Sequence, residues 1–164
     1  MIDTAMDFSA IASFAVFMLA NFATASAGAV FKPGDWYEGL NHPSWRPPNW
    51  LFGAVWTVLY IMIAVSGWLV WETAGWAGGK IALIVYAVHL ILNFAWSAVF
   101  FGMRRIDLAF AEVLILWISI VATMVLFHAI SPLAAYLLIP YLCWASFAAV
   151  LNYTVWQLNK PAPF

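Results

Sequence analysis

The sequence predicts an all-α membrane protein, built as a bundle of five transmembrane helices. Of its 164 residues, 66% are hydrophobic and only 8% are charged, whereas soluble domains carry about 25% charged residues. The mean hydropathy is +0.95, and the few charges stand between long uncharged runs. Because roughly 20 apolar residues in a helix cross a hydrocarbon core of about 30 Å, these runs predict membrane spans. A water-soluble globular domain is excluded.

Charged residues and turn-forming segments divide the chain into five apolar runs. The first run ends at Lys32, and the second ends at Glu72, before a turn predicted from Gly75 to Gly79. The uncharged stretch after Glu112 is too long for one crossing, and residues 129–132 break it at a proline. We therefore predict spans at about 8–31, 47–71, 81–103, 108–128 and 133–156, a lid loop at 32–46, and a single domain over 1–164.

The basic residues predict the orientation in the membrane. Lys80 alone lies on one predicted side, and the other five lie on the opposite side: Lys32, Arg46, Arg104, Arg105 and Lys160. By the positive-inside rule the N-terminus is outside and the C-terminus is cytoplasmic, whereas the choice of inner or outer membrane stays open. Asp3 and Asp7 stand where a cleavable signal carries Lys or Arg, so the first span is predicted to be retained.

The lid loop and its entry into the second span are rich in aromatic residues and proline. Residues 32–50 contain four Pro and two Gly, which forbid a continuous helix, together with Trp36, Tyr37, Trp45 and Trp50. Large rings are costly to leave in water, so the segment is expected to fold down over the bundle. An interfacial aromatic belt is the alternative, although a belt does not require the prolines.

The third predicted span carries a stripe of polar and aromatic residues. His89, Asn93, Trp96 and Phe100 follow at helical spacing and share one face. Because such a stripe would be wasted against lipid, we expect it to face the bundle interior. There Asn93 can form hydrogen bonds across helices.

A second stripe lies on the fifth predicted span. Trp144, Ala148 and Leu151 share a face, and the small Ala148 leaves room beside the indole ring. The room suits either a flat ligand or a closely packed neighbouring helix, since small residues are common at helix contacts in membranes.

Several kinds of chemistry lack their residues in this sequence. The net charge of −1 provides no basic field for nucleic acid, and the single Cys143 and three His show no spacing of metal ligands. No catalytic triad, phosphate-binding glycine loop or pair of carboxylates is present. Glu112 is expected to lie close enough to the membrane interface to be hydrated. Neither a metal nor a required cofactor is predicted.

Ordered motifs along the whole chain support a resemblance to a known family. They are Lys32-Pro33, Trp36-Tyr37, Leu40, Pro43, Trp45, Pro47-Pro48, Trp50, Phe52, Trp56, Leu59-Tyr60, Leu92-Asn93, Trp96, Phe100-Phe101, Pro140-Tyr141-Leu142, Trp144, Phe147-Ala148 and Leu151-Asn152. In these motifs the sequence resembles the translocator protein family, the tryptophan-rich sensory proteins once called peripheral benzodiazepine receptors.

The resemblance implies a homodimer with a ligand pocket under the first loop. The expected ligands are porphyrins such as protoporphyrin IX and haem, and isoquinoline carboxamide or benzodiazepine-type drugs. The implied function is that of a tetrapyrrole-binding sensor or transporter. The motif positions that would line the pocket are Trp36, Tyr37, Trp56, Asn93, Trp96, Trp144, Ala148 and Leu151.

The resemblance also leaves two alternative functions open. One is light- and oxygen-dependent porphyrin breakdown, an enzyme-like activity for which Trp56 and Trp144 are the candidate redox-active residues. The other is a lipid or sterol carrier. Animal relatives carry a sterol-recognition pattern of Leu or Val, Tyr and a basic residue, but here Gln157 stands where the basic residue is expected after Tyr153. This incomplete pattern argues against cholesterol as a partner.

Overall fold

The computed structural model describes residues 8–160, and in this part of the chain every regular element is helical. The helices are α1 (Phe8–Ala25), α2 (Ala27–Val30), α3 (Asp35–Glu38), α4 (Asn49–Ser97), α5 (Ile106–His128), α6 (Pro132–Tyr136) and α7 (Ile139–Leu158), and a π-helical turn (Ala98–Gly102) extends α4.

The helices identify an all-α integral membrane protein. Four helical stretches of the described residues are long and apolar enough to cross a bilayer: Phe8–Val30, Asn49–Gly102, Ile106–His128 and Pro132–Leu158. The second has 54 residues and no straight helix of that length would fit one crossing, since it would measure about 80 Å.

Helix α4 is a hairpin of two antiparallel halves, residues 49–74 and 76–97, joined at Gly75. Gly75 has φ 58° and ψ −165°, a conformation that a residue without Cβ adopts at little cost. Across the hairpin, the Tyr60 hydroxyl donates to Asn93 Oδ1 over 2.6 Å. The turn was expected over Gly75 to Gly79, but the chain reverses at Gly75 alone and is helical again directly after it.

The last predicted span is interrupted in the structure. The one-turn helix α6 begins at Pro132, where the Ser131 Oγ accepts a hydrogen bond from the Ala134 amide over 3.4 Å. Helix α7 begins only at Ile139. Pro140 has no amide to donate to the carbonyl of residue 136, and its ring would crowd that carbonyl, so the regular hydrogen bonding of a helix is interrupted at this point.

Polar side chains join the helices inside the bundle. Asn21 Nδ2 on α1 donates to the Tyr86 hydroxyl over 2.6 Å, and Ser66 Oγ donates to the Ala134 carbonyl over 2.7 Å. Asn21, Ser66 and Tyr86 are buried, and so are the rings of Phe127 and Tyr141. Lipid tails are as apolar as the helices, so such hydrogen bonds and close packing hold the bundle together.

Candidate functional site: an aromatic cavity beneath the lid loop

A cavity of about 510 Å³ lies among α1, α2, both halves of α4, α5 and α7, with residues of the lid loop at one edge. Ten aromatic side chains line it, with a few polar groups between them. Its volume falls in the range of small-molecule sites, about 300–1,000 Å³, and a mainly apolar lining with few polar groups is typical of them. We call it the aromatic cavity, and we call the edge lined by Tyr37 and Asn49 its mouth.

Most of the residues predicted for the pocket meet in this cavity. Trp36 is the exception. It packs edge-on against Phe100, with ring centroids 6.1 Å apart, and the Arg104 guanidinium lies 5.9 Å from its ring centroid. Trp36 therefore supports a lining residue from behind. The other seven predicted residues line the cavity: Tyr37, Trp56, Asn93, Trp96, Trp144, Ala148 and Leu151.

Ring contacts hold Trp56 and Trp144, two of the three indoles of the cavity wall, in place. Trp56 stacks on Tyr60 with ring centroids 5.3 Å apart and an interplanar angle of 28°, and it meets Tyr141 edge-on at 6.1 Å. Trp144 meets Phe52 edge-on at 5.5 Å. Rings packed in this way lose their freedom when the protein folds, so a flat ligand would meet preformed aromatic surfaces.

Asn93 is the polar centre of the cavity. Its Oδ1 accepts from the Tyr60 hydroxyl over 2.6 Å, and its Nδ2 donates to the Tyr141 hydroxyl over 2.7 Å. The two tyrosines fix the orientation of the amide. Because a primary amide has two N–H groups and two lone pairs, Asn93 keeps one donor and one acceptor for a ligand.

Two indole N–H groups of the cavity wall differ in their partners. Trp96 Nε1 donates to Asn152 Oδ1 over 3.1 Å, and Asn152 Nδ2 donates to the Ile106 carbonyl over 2.9 Å. In the described part of the chain, the buried Trp144 Nε1 has no hydrogen-bond partner. Because this nitrogen is covered by protein atoms, Trp144 contributes its ring to the cavity wall and its N–H is not exposed there.

The lid loop is anchored to the bundle by Tyr37. This side chain is 7% exposed and packs edge-on against Phe100 and Phe101 of the π-helical turn, with ring centroids 5.9 and 5.4 Å apart. Burial raises the pKa of the Tyr37 hydroxyl above its usual value, so it stays neutral. His42 Nε2 lies 2.8 Å from the Tyr37 carbonyl and holds the loop in shape.

A pair of asparagines fastens the lid loop to the end of α7. The Asn41 amide donates to Asn159 Oδ1, and Asn159 Nδ2 donates to the Asn41 carbonyl, each over 2.9 Å. Asn159 Nδ2 also donates to the Val155 carbonyl over 2.7 Å, which orients its side chain. We call this pair the asparagine clasp.

At the mouth, three polar side chains meet. Glu38 Oε1 accepts from Asn49 Nδ2 over 3.0 Å, and Glu38 Oε2 accepts from the Arg46 guanidinium over 3.4 Å. The hydrogen bond from Asn49, with a smaller contribution from Arg46, holds the pKa of the Glu38 carboxyl below its usual value. Glu38 is therefore ionised at neutral pH.

One sequence expectation near the site is confirmed and another is wrong. His89 faces the bundle interior as expected, buried between the rings of Tyr86 and Tyr141. It does not line the cavity, which ends one helical turn away, at Asn93. Glu112 is not hydrated. Both of its carboxylate oxygens are buried and lack a hydrogen-bond partner among the described residues.

Sequence reasoning missed part of the lining. Tyr60 and Asn152 each follow a predicted site residue by four positions, so helical spacing could have found them. No signal identified the contributions of α1, α2, the residue after α2, and α5, which are purely apolar or small: Phe22, Ala25, Gly28, Phe31, Val113 and Leu116.

No group of three or more His, Cys, Asp or Glu side chains among residues 8–160 is placed to hold a metal ion.

A helical membrane bundle with an aromatic cavity under a proline-rich loop agrees with the sequence resemblance, and comparison with known proteins establishes the family. The model of the TspO/MBR family matches residues 11–157. The chain belongs to this family.

Its relatives include bacterial, archaeal and animal proteins, and the alignments cover most of each chain. It is 45% identical to the tryptophan-rich protein TspO of Chlorobaculum tepidum over 142 residues, which cover 84% of this chain and 89% of the relative. It is 40% identical to the tryptophan-rich sensory protein of Cereibacter sphaeroides, with 93% and 94% covered. It is also 40% identical to the human translocator protein, with 87% and 88% covered.

Proposed function

We propose that this protein binds tetrapyrroles such as protoporphyrin IX and haem in the aromatic cavity, and that it acts as a membrane sensor or transporter of them. The observation that carries the proposal is the cavity itself, about 510 Å³ in volume and lined by ten aromatic side chains. Aromatic walls offer stacking area to a flat macrocycle, while Asn93 and the mouth offer polar partners to its edge.

The same cavity suits flat drugs of the isoquinoline carboxamide and benzodiazepine types. These molecules combine aromatic rings with a carbonyl acceptor. Asn93 lines the cavity and uses one of its two amide N–H groups on Tyr141, so the other is a donor for such a carbonyl.

We further propose five membrane crossings, with the N-terminus outside and the C-terminus in the cytoplasm. Each half of α4, 49–74 and 76–97, has more than 20 residues and is long enough for a crossing of its own. The asparagine clasp brings the lid loop to the end of α7, so the basic residues of both lie at one end of the bundle. A homodimer completes the proposal, and cross-linking in the membrane would test it.

A porphyrin titration tests the binding site. The purified protein in lipid nanodiscs should show saturable quenching of its tryptophan fluorescence by protoporphyrin IX. Ala148→Leu should weaken binding about tenfold, because the larger side chain intrudes on the cavity wall. Ala111→Leu, at an exposed position of α5 outside the cavity, is the matched control and should bind as the parent does. Parent-like affinity in a folded Ala148→Leu protein would contradict this site.

Light-driven porphyrin breakdown is the second candidate function, with dioxygen as the oxidant. It is favoured by two easily oxidised indoles, Trp56 and Trp144, in the wall of one cavity. Replacing both with Phe keeps most of the stacking area but removes the indoles, so the loss of porphyrin absorbance under light should stop. Bleaching at the parent rate would assign the reaction to porphyrin photochemistry without these indoles.

A further inference from the structure

The mouth of the aromatic cavity holds one carboxylate between two donors. Glu38 Oε1 accepts from Asn49 over 3.0 Å and Glu38 Oε2 accepts from Arg46 over 3.4 Å. The guanidinium also donates to Asn49 Oδ1 over 3.2 Å, so Arg46 and Asn49 form one unit. This unit is next to the cavity, because Asn49 lines it and Arg46 lies 5.3 Å from the ring centroid of Tyr37, which lines it too.

The contact between Arg46 and Glu38 is loose compared with the other ion pair of the described residues. Arg105 binds Asp107 through two nitrogens, at 2.9 and 2.7 Å, which is the strong bidentate geometry. Arg46 contacts Glu38 through a single nitrogen at 3.4 Å, and the Glu38 side chain is 52% exposed. A competing carboxylate can therefore replace Glu38 without opening the bundle.

We propose that Arg46 and Asn49 form a carboxylate-binding subsite at the mouth, and that Glu38 is an internal competitor for it. The inference rests on the proposed function, since the apolar body of the ligand must occupy the cavity. A ligand that places a carboxylate at the mouth takes over the donors of Arg46 and Asn49, and Glu38 turns toward water. Glu38 thereby lowers the affinity for acidic ligands and leaves the affinity for neutral ones unchanged.

A purely structural role of Glu38 makes a different prediction. If Glu38 only held the lid loop in place, its loss would lower the affinity for acidic and neutral ligands alike. Glu38→Gln separates the two roles, because the amide oxygen can still accept from Asn49 or Arg46 while the negative charge is gone. Competition then predicts tighter binding of the acidic ligand only.

The test compares protoporphyrin IX, which has two carboxylates, with its dimethyl ester, which has none. Dissociation constants come from fluorescence titrations at low salt. Glu38→Gln should lower the dissociation constant of the diacid about fivefold, and Arg46→Gln should raise it by a similar factor. The dissociation constant of the ester should change less than about twofold in both variants. Glu72→Gln is the matched control. It removes the same charge beside the Gly75 turn, away from the mouth, and should alter neither ligand.

A further variant keeps the inference testable if Arg46→Gln does not fold. Asn49→Asp is nearly isosteric, removes the amide donor and adds a second negative charge to the subsite. It should therefore lower the affinity for the diacid and leave the affinity for the ester unchanged.

The outcomes separate this inference from the proposed function. If neither porphyrin binds the parent, the proposed function is wrong. If both bind but Glu38→Gln leaves the ratio of diacid to ester affinity unchanged, the cavity binds porphyrins and the subsite is overturned. A change in that ratio with Glu38→Gln, opposed by Arg46→Gln or Asn49→Asp, supports the subsite.

Discussion

A mutation in the asparagine clasp tests directly whether these hydrogen bonds hold the lid loop closed. Asn159→Ala removes two of the three hydrogen bonds from Asn41 to the end of α7, namely the Asn41 amide to Asn159 Oδ1 and Asn159 Nδ2 to the Asn41 carbonyl. The third, from Asn41 Nδ2 to the Leu158 carbonyl, is the longest at 3.4 Å and stays in place. The contacts of Tyr37 with the π-helical turn are unchanged in the closed state. The lid should therefore open more often, while the closed lid stays the main state.

The geometry gives the size of the effect. A hydrogen bond contributes about 0.5–1.5 kcal/mol net, and bonds that water can replace lie at the lower end of that range. Asn41 is exposed, so the two bonds together contribute about 1 kcal/mol. At 25 °C this corresponds to a factor of about five in the open population of the loop. Asn159→Asp keeps the acceptor for the Asn41 amide and loses the donor, so its effect should be smaller.

Hydrogen exchange measures this opening. Amides of residues 35–46 should exchange about fivefold faster in Asn159→Ala, and a bound porphyrin should dissociate faster by a similar factor. Ser13→Ala is the control, because it removes two hydrogen bonds at another place, with Glu72 and Trp68, and should leave the loop unchanged. Parent-like exchange in Asn159→Ala would show that the clasp does not hold the lid, and the reasoning would fail.

Two further predictions concern the backbone. Replacing Pro47 and Pro48 with Ala should speed ligand dissociation about fivefold with little change in association, measured by stopped-flow fluorescence, because the entry into α4 gains freedom in the open state. Gly67→Ala should destabilise the bundle, seen as a lower thermal midpoint, since an added Cβ would lie 2.7 Å from Tyr86 Cζ. Gly53→Ala, with no atom within 4 Å of the added Cβ, should not lower that midpoint.

The sequence was informative where a single physical rule decides the structure. Uncharged runs indicated the membrane helices, and the glycines after Glu72 indicated a turn. The glycine that makes the turn is the one with a positive φ angle, and the sequence does not show which glycine adopts it. The break between α6 and α7 was missed although Pro140 is visible in the sequence. Hydropathy does not detect such an interruption in an apolar run, because it depends on the side chains and not on the backbone hydrogen bonds.

The sequence also did not predict how far the cavity extends along a helix, or which of two neighbouring side chains faces it. Helical spacing placed His89, Asn93 and Trp96 on one face, but only packing decides that the cavity ends before His89. In the lid loop no periodicity exists, so Trp36 and Tyr37 were indistinguishable. The single turn of α3 points neighbouring side chains about 100° apart, and therefore Tyr37 lines the cavity while Trp36 lies behind Phe100.

The π-helical turn explains how closing the lid can be coupled to filling the cavity. Residues Ala98–Gly102 follow the second half of α4 directly, and two neighbouring rings of this turn, Phe100 and Phe101, both line the cavity and both contact Tyr37. When the lid opens, Tyr37 leaves these two rings and all three lose apolar contact at once. A flat ligand in the cavity adds a further ring surface that the closed lid keeps from water. Closing the lid is therefore more favourable with a ligand than without one. Because such coupling is reciprocal, a mutation that weakens the contacts of the closed lid should also lower the affinity for the ligand.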